Sequence, residues 1–211
     1  MPTTFPSLIT PSELKALTEE LRRLAAGEPL NCEIRLDAEK LFFFVRLPDP
    51  IKKRLTEIGH QVVKGTKYEP ETNDHLTLLY IPRFKEPISK ELRAKVIAAA
   101  KKIAGESAPI KATLQGWGYF DGAEGKDNEP ATALVGLIDA PGLAHVHVAL
   151  HQEVLRLGID AKQNHGFTPH ATFAYLPKGE RLPKLPVLNE KFEIAAFELS
   201  NDRAYHFPLK G

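Results

Sequence analysis

The sequence predicts an α+β protein made of two related halves with a functional cleft between them. Two similar tetrapeptides, His75-Leu76-Thr77-Leu78 and His170-Ala171-Thr172-Phe173, lie inside runs that are typical of β-strands. A candidate strand and then an amphipathic stretch precede each tetrapeptide. Pro50 and Pro141, which follow those strands, are 91 residues apart, against 95 for the two histidines, so the drift is the size of a loop insertion. The order strand, helix, motif strand therefore occurs twice, which indicates an internal repeat.

The first half is expected to cover residues 40–120. An aromatic and aliphatic run closed by Pro48 predicts a strand at 40–48. The elements predicted after it are a helix at 51–63, the motif strand from His75, a helix at 91–103 and a strand at 110–120. The segment 121–130 is rich in glycine and charged residues and is predicted to be an exposed turn between the halves.

The second half is expected to cover residues 131–209, and an N-terminal helical extension to cover residues 1–36. The second half should contain a strand at 131–139, a helix at 143–157, the motif strand from His170, and late strands at 191–199 and 204–209. In the extension, leucines recur at helical spacing after a helix start at Thr10 or Ser12, and 31–36 is a further strand candidate. We expect the N-terminal helix to pack on the outside of the fold; a lid or a partner-binding role is the alternative.

Composition limits the function classes that are open to the chain. With 211 residues, 43% of them hydrophobic and 26% charged, we expect one bilobal domain with a substantial core. The net charge of +1 does not favour bulk DNA binding, which usually requires a strong basic excess. The single cysteine, Cys32, excludes a disulfide framework within the chain and a cysteine-based zinc site. No membrane span or secretory signal is recognisable, so a cytoplasmic location is expected. We also expect a monomer.

The two tetrapeptides carry groups suited to chemistry at phosphorus. Side chains alternate between the faces of a strand, so His75 and Thr77 should share one face, as should His170 and Thr172. Two imidazoles can act as general acid and general base, because their ordinary pKa is close to neutral pH. Two hydroxyls can donate hydrogen bonds to phosphate oxygens. If the two strands meet at a cleft, the four groups can catalyse attack on phosphorus without a metal.

These residues resemble the two-histidine (2H) phosphoesterase superfamily, which includes 2'-5' RNA ligases and cyclic nucleotide phosphodiesterases and is defined by two such H-x-T/S-x motifs. The resemblance covers residues 40–209. It implies a bilobal α+β fold of two pseudo-symmetric halves, each an antiparallel sheet with helices, around a central cleft. It also implies His75 and His170 as catalytic residues, Thr77 and Thr172 as phosphate-binding residues, and no cofactor. The implied substrates are nucleotides or short RNA with a 2'-linked or 2',3'-cyclic phosphate, 2'-5' oligonucleotides and cyclic oligonucleotides.

Further substrate-binding candidates are weaker. Trp117 and Tyr119 follow a strand and could stack on a base, whereas Phe120 is expected in the core. Arg83 and His165 lie in loops beside the motifs. Lys64 and Lys67, which precede the first motif, are more typical of solvated surface cations. Tyr80 and Tyr175 should lie opposite the histidines and hence in the core.

Two other functions remain open. A protein with both motifs could bind a nucleotide without cleaving it. The cluster His145, His147 and His151 could instead hold a metal ion, since His147 and His151 share a helix face. A third protein ligand is not evident, so a histidine-bearing polar helix surface is the expected interpretation of this cluster.

Overall fold

Two four-stranded antiparallel sheets form the framework of the protein in its computed structural model. The structure describes residues 41–72, 75–81, 88–124, 129–161, 166–200 and 205–211, which all belong to one unit, Asp37–Gly211. The elements are β1 (Leu41–Arg46), α1 (Asp49–Val63), β2 (His75–Ile81), α2 (Lys90–Gly105), β3 (Ile110–Glu124), β4 (Pro130–Asp139), α3 (Pro141–Arg156), β5 (His170–Pro177), β6 (Glu190–Ile194), β7 (Ala196–Ser200) and β8 (Tyr205–Pro208). The predicted N-terminal helix, the strand at 31–36, Arg83 and His165 lie outside the described residues.

The two sheets have the same plan. The strand order is β2-β1-β7-β8 in the first and β5-β4-β3-β6 in the second. In each sheet the motif strand is an edge strand, and it pairs antiparallel with the strand that precedes it in its own half. The predicted α+β class with two antiparallel-sheet halves is confirmed.

The sheets exchange strands between the predicted halves. Strand β3, expected in the first half, pairs with β4 and β6 in the second sheet, while β7 and β8 join β1 in the first sheet. The single strand predicted at 191–199 was therefore wrong. It is two strands in different sheets, because the chain leaves one sheet and enters the other at Ala195, whose carbonyl accepts a hydrogen bond from the amide of Leu209 at 2.8 Å.

The predicted turn at 121–130 was also too long. Strands β3 and β4 continue to pair as far as Glu124 and Pro130. Part of the glycine-rich and charged stretch that suggested a turn is instead an irregularity within β3. The register shifts between Asp121 and Ala123, where Gly122 has a positive φ of 81°.

The helices support the motif strands of the opposite halves. Helix α1 buries a stripe of apolar residues at helical spacing and contacts β5, while α3 does the same and contacts β2. The buried stripes comprise Ile51, Leu55, Ile58 and Val63 on α1, and Leu143, Val146, Leu150 and Val154 on α3. Helix α2 begins after Ser89, whose hydroxyl caps the amide of Leu92. No helix among the described residues is long and apolar enough to span a membrane.

Candidate active site

The first motif contains a β-bulge at its fourth residue. Thr77 pairs with Phe44, and the next pair along the ladder joins Leu79 to Phe43. Leu78 is thus an extra residue without a partner on β1, which is the definition of a bulge.

The second motif has a bulge at the same place. Thr172 pairs with Val135 and Ala174 with Leu134, so Phe173 is the extra residue on β5. The two motifs therefore share a local backbone geometry as well as a sequence pattern.

The bulge changes which side chains face the site. Leu78 and Leu79 are both buried, and Tyr80 then emerges on the exposed side of β2 with 46% of its surface accessible. The prediction that Tyr80 lies in the core was wrong, because it assumed strict alternation along the strand. Tyr175 follows the bulge of β5 in the same way, so the expectation that it lies opposite His170 was also wrong. It is half-buried and packs partly against the core; burial raises the pKa of its hydroxyl, and the nearby carboxylate of Glu71 adds to the effect.

His75 lies on an aromatic surface beside a fixed cation. Its ring centroid is 5.7 Å from that of Phe42 and 5.4 Å from that of Phe44. Its cross-strand partner is Arg46, whose Nε and Nη2 donate hydrogen bonds to the two carboxylate oxygens of Glu198 at 3.2 and 3.1 Å. Cross-strand partners share a sheet face, so this guanidinium lies on the same face as His75. The sequence signal that locates it is the alternation of Phe42, Phe44 and Arg46 along the predicted strand.

His170 is oriented by the residues just before it. Its Nδ1 donates a hydrogen bond to the carbonyl of Thr168 at 2.7 Å. A carbonyl can only accept, so the proton is on Nδ1, and Nε2 is left for other chemistry. The ring of Phe120 packs edge-on against the imidazole with centroids 4.9 Å apart. Both motif histidines thus rest on phenylalanine rings of their own sheets.

A cavity of about 760 Å³ brings parts of the two motifs together. Its lining includes Thr77 and Tyr80 from β2 and His170 from β5, with Phe120 and Phe167 as aromatic walls. Strands β2 and β5 approach each other with Cα atoms within 8 Å. His75 is the counterpart of His170 in the first motif, and Thr172 is the counterpart of Thr77 in the second. Neither His75 nor Thr172 is part of the cavity lining.

A model of the 2'-5' RNA ligase superfamily matches residues 47–205 of this chain. The chain belongs to the 2'-5' RNA ligase superfamily. The family resemblance predicted from the two motifs is therefore confirmed. A search of the curated proteins finds no match.

Several solved structures share the fold of this superfamily member. TT0787 of Thermus thermophilus is 23% identical with a TM-score of 0.62, and the match covers 82% of this chain and 98% of that one. A phosphoesterase is 22% identical with a TM-score of 0.60, covering 82% and 97%. Escherichia coli LigT in complex with 3'-AMP is 21% identical with a TM-score of 0.59, also covering 82% and 97%. At these identities the likeness concerns the fold.

The aromatic residues of strand β3 do not lie where the sequence predicted them. Phe120, expected in the core, is 42% exposed and lines the cavity. Trp117 pairs with Gly136, which pairs with Ala171, so Trp117 lies on the face opposite His170 and packs against the core. Tyr119 is two residues further along on that same face and is 50% exposed. The structure therefore brings neither Trp117 nor Tyr119 to the cavity.

The remaining charged and histidine candidates also have definite places. Lys67 forms an ion pair with Glu129. His145 is exposed, whereas His147 and His151 hydrogen-bond through Nδ1 and Nε2 to the carbonyls of Leu78 and Ala161 at 2.7 and 2.9 Å. Within the described part of the chain, no three histidine, cysteine or acidic side chains are grouped so that they could hold a metal ion.

Proposed function

We propose that the protein is a phosphodiesterase that cleaves 2'-linked or 2',3'-cyclic phosphates of RNA ends, 2'-5' oligonucleotides or cyclic nucleotides without a metal. The observation that carries this proposal is the common bulge, which follows a histidine and a threonine at equivalent positions of two strands that approach each other within 8 Å. Membership of the 2'-5' RNA ligase superfamily supports the phosphodiester class. E. coli LigT, a structural neighbour, has been crystallised with 3'-AMP and with ATP, which supports a nucleotide ligand.

In this mechanism the motif histidines exchange protons with the substrate. One neutral imidazole takes a proton from water or from a free ribose hydroxyl vicinal to the phosphodiester, and that oxygen forms a new bond to phosphorus. The second imidazole, protonated, donates its proton to the ribose oxygen as the old P–O bond breaks. The hydrogen bond from Nδ1 of His170 to Thr168 fits this role, because it fixes the ring with Nε2 available to the substrate.

The polar and aromatic neighbours would bind the rest of the substrate. The hydroxyls of Thr77 and Thr172 donate to the non-bridging phosphate oxygens, where charge accumulates in the transition state. Arg46, held by Glu198, adds positive charge on the His75 side of the site. Tyr80 and Phe120 offer rings on which a base can stack, an interaction worth roughly 1–3 kcal/mol per base.

The decisive experiment combines a substrate panel with single replacements. Oligonucleotides with 2',3'-cyclic, 2'-5' and 3'-5' phosphates, and cyclic oligonucleotides, are incubated with the protein in EDTA and resolved by chromatography. We expect turnover of a 2'-linked or 2',3'-cyclic substrate in the presence of the chelator. His75→Ala and His170→Ala should each lower kcat by at least about 100-fold, and the double variant should be little worse than the poorer single one, since the residues act as a unit.

His145→Ala is the matched control, because this exposed histidine lies outside the site and its loss should leave kcat unchanged. Full activity of either folded motif variant would refute paired histidine catalysis. Binding of 3'-AMP by a wild-type protein that cleaves nothing in the panel would favour a non-catalytic nucleotide-binding protein. Activity that EDTA abolishes would instead require a metal.

A further inference from the structure

The bulge in the first motif is held by a side chain from the other half of the protein. Leu78, the extra residue of β2, has no partner on β1, and its carbonyl accepts a hydrogen bond from Nδ1 of His147 at 2.7 Å. His147 lies on α3, which packs against β2. Because the carbonyl can only accept, the imidazole must carry its proton on Nδ1.

The surroundings of His147 keep this donor in one protonation state. The side chain is buried, with 7% of its surface accessible, and burial lowers the pKa of the imidazole below its usual 6.5. The hydrogen bond to Leu78 opposes this effect, and the neighbouring His151 adds to it. At neutral pH the ring is therefore neutral and serves as a single, defined donor.

The same ring also contacts the segment that orients the second catalytic histidine. The imidazole of His147 stacks on Phe167 with centroids 4.2 Å apart and planes within 5° of parallel. Phe167 lines the cavity, and the next residue, Thr168, supplies the carbonyl that receives Nδ1–H of His170. One buried imidazole thus touches the backbone of the first motif and the support of the second.

We propose that His147 is a positioning residue that fixes the bulge of the first motif, and with it the phosphate-binding hydroxyl of Thr77, relative to the segment that holds His170. This inference rests on the proposed phosphodiesterase function. The hydrogen bond holds the strand that carries Thr77, whereas the stack on Phe167 is a packing contact with the neighbouring segment, and the two interactions can be removed separately. If His147 merely filled the core, removing either interaction would have the same effect on kcat.

The test uses two replacements at this position. His147→Phe keeps an aromatic ring for Phe167 but removes the donor to Leu78, whereas His147→Asn keeps a donor at the position of Nδ1 but removes the stack. We expect His147→Phe to lower kcat by about tenfold or more while changing KM by less than about threefold, because the transition-state contacts of Thr77 depend on the bulge. His147→Asn, which keeps the donor to Leu78, should recover much of this loss in kcat.

His151→Phe is the matched control. His151 lies one turn further along the same helix and also bonds a backbone carbonyl, that of Ala161, which is not part of the site. This variant should leave kcat within about twofold of the wild type. Equal losses in His147→Phe and His151→Phe, or in His147→Phe and His147→Asn, would mean that α3 only contributes stability and would overturn the proposal.

Coupling to the motif threonines gives a second readout. In a Thr77→Val background, His147→Phe should cost little more in kcat, because both changes remove the same contact; in a Thr172→Val background its full effect should remain. Additive losses in both backgrounds would overturn the proposal.

An activity-independent measurement separates this inference from the proposed function. In NMR spectra, His147→Phe should shift the backbone amides of β2 from His75 to Ile81, and the wild-type imidazole should be the Nδ1–H tautomer. If the wild type cleaved no substrate, the phosphodiesterase proposal would fail, while these spectra would still decide how the bulge is held. An Nε2–H tautomer, or unchanged β2 amides in the variant, would refute the positioning role.

Discussion

A single methyl group should test how the second motif is held. Gly59 lies on the buried face of α1, where a Cβ atom would be 2.5 Å from the carbonyl oxygen of Phe173 and 3.0 Å from Cβ of Pro70. Phe173 is the bulge residue of β5, and its carbonyl accepts a hydrogen bond from the amide of Glu71 at 3.0 Å. The helix can approach the bulge this closely because residue 59 has no side chain.

The size of the effect of Gly59→Ala follows from two opposing contributions. Alanine in a helix interior is favoured over glycine by about 1 kcal/mol. Against this, the new Cβ has to move by about half an ångström or more away from a backbone oxygen and a proline ring, and overpacking of this kind typically costs about 1–3 kcal/mol. Displacing the Phe173 carbonyl also weakens its hydrogen bond to Glu71, which is worth about 1 kcal/mol. We therefore expect net destabilisation of about 1–3 kcal/mol.

Urea unfolding of Gly59→Ala and of the control Gly105→Ala measures this difference. Gly105 is the last residue of α2, and a Cβ there would meet nothing within 4 Å, so alanine should be neutral or stabilising. If the bulge positions the catalytic strand, Gly59→Ala should also lower kcat on the substrate identified by the panel, in conditions where the variant is fully folded. A Gly59→Ala protein as stable and as active as Gly105→Ala would refute the claim that this close contact fixes the second motif.

Three further predictions concern the chemistry and its pH dependence. The rate should depend on pH as a bell with limbs between about pH 5 and 8, since one motif histidine must be neutral while the other is charged; a flat profile when chemistry limits the rate would contradict this. Thr77→Val and Thr172→Val, which keep the β-branched shape, should each lower kcat about 10- to 1000-fold with a smaller change in KM. Serine at either position should restore much of the loss in kcat. Wild-type turnover in both valine variants would mean that only the histidines of the two motifs take part in the reaction. Finally, burial lowers the pKa of His147 below 6.5, so the unfolded chain binds a proton at this residue more readily than the folded protein, and stability is lost as pH falls below about 6.5. The urea midpoints of the wild type should therefore fall more steeply towards pH 5 than those of His147→Phe. Parallel curves would disprove this dependence of stability on the protonation of His147.

Local patterns in the sequence were sufficient to predict much of the fold. Apolar periodicity located the helices α1, α2 and α3 and the strands β1 to β5 to within a few residues. It could not show that the stretch 191–199 divides at Ala195, because a chain that passes from one sheet to another keeps the composition of a strand on both sides. Which strands pair is a long-range property, so the exchange of β3, β7 and β8 between the predicted halves was equally invisible.

The candidate site was predictable where it depended on the motifs and not where it depended on backbone irregularity. The pairs His75–Thr77 and His170–Thr172 were recognisable because period-two alternation holds within the first three residues of each motif. After the bulge the alternation is reset, and Tyr80 therefore faces the cavity although simple counting places it in the core. A bulge has no sequence signature in these strands, so this correction required the structure.

The two halves meet the same structural requirement by different means. Each bulge presents a carbonyl that needs a donor from outside its own sheet: Leu78 receives an imidazole N–H from α3, and Phe173 receives a backbone N–H next to a glycine of α1. Aligning the halves through their prolines sets His147 against Thr56 and Gly59 against Leu150, so neither solution has a counterpart in the other half. The repeat is consequently clearer in strand pairing than in sequence, because the pairing constrains the backbone while either kind of donor can satisfy the carbonyl. It follows that the residues supporting each motif have to be sought in the opposite half, on its helix or, as for Glu71, in the loop after the helix, where an alignment of the two halves would not find them.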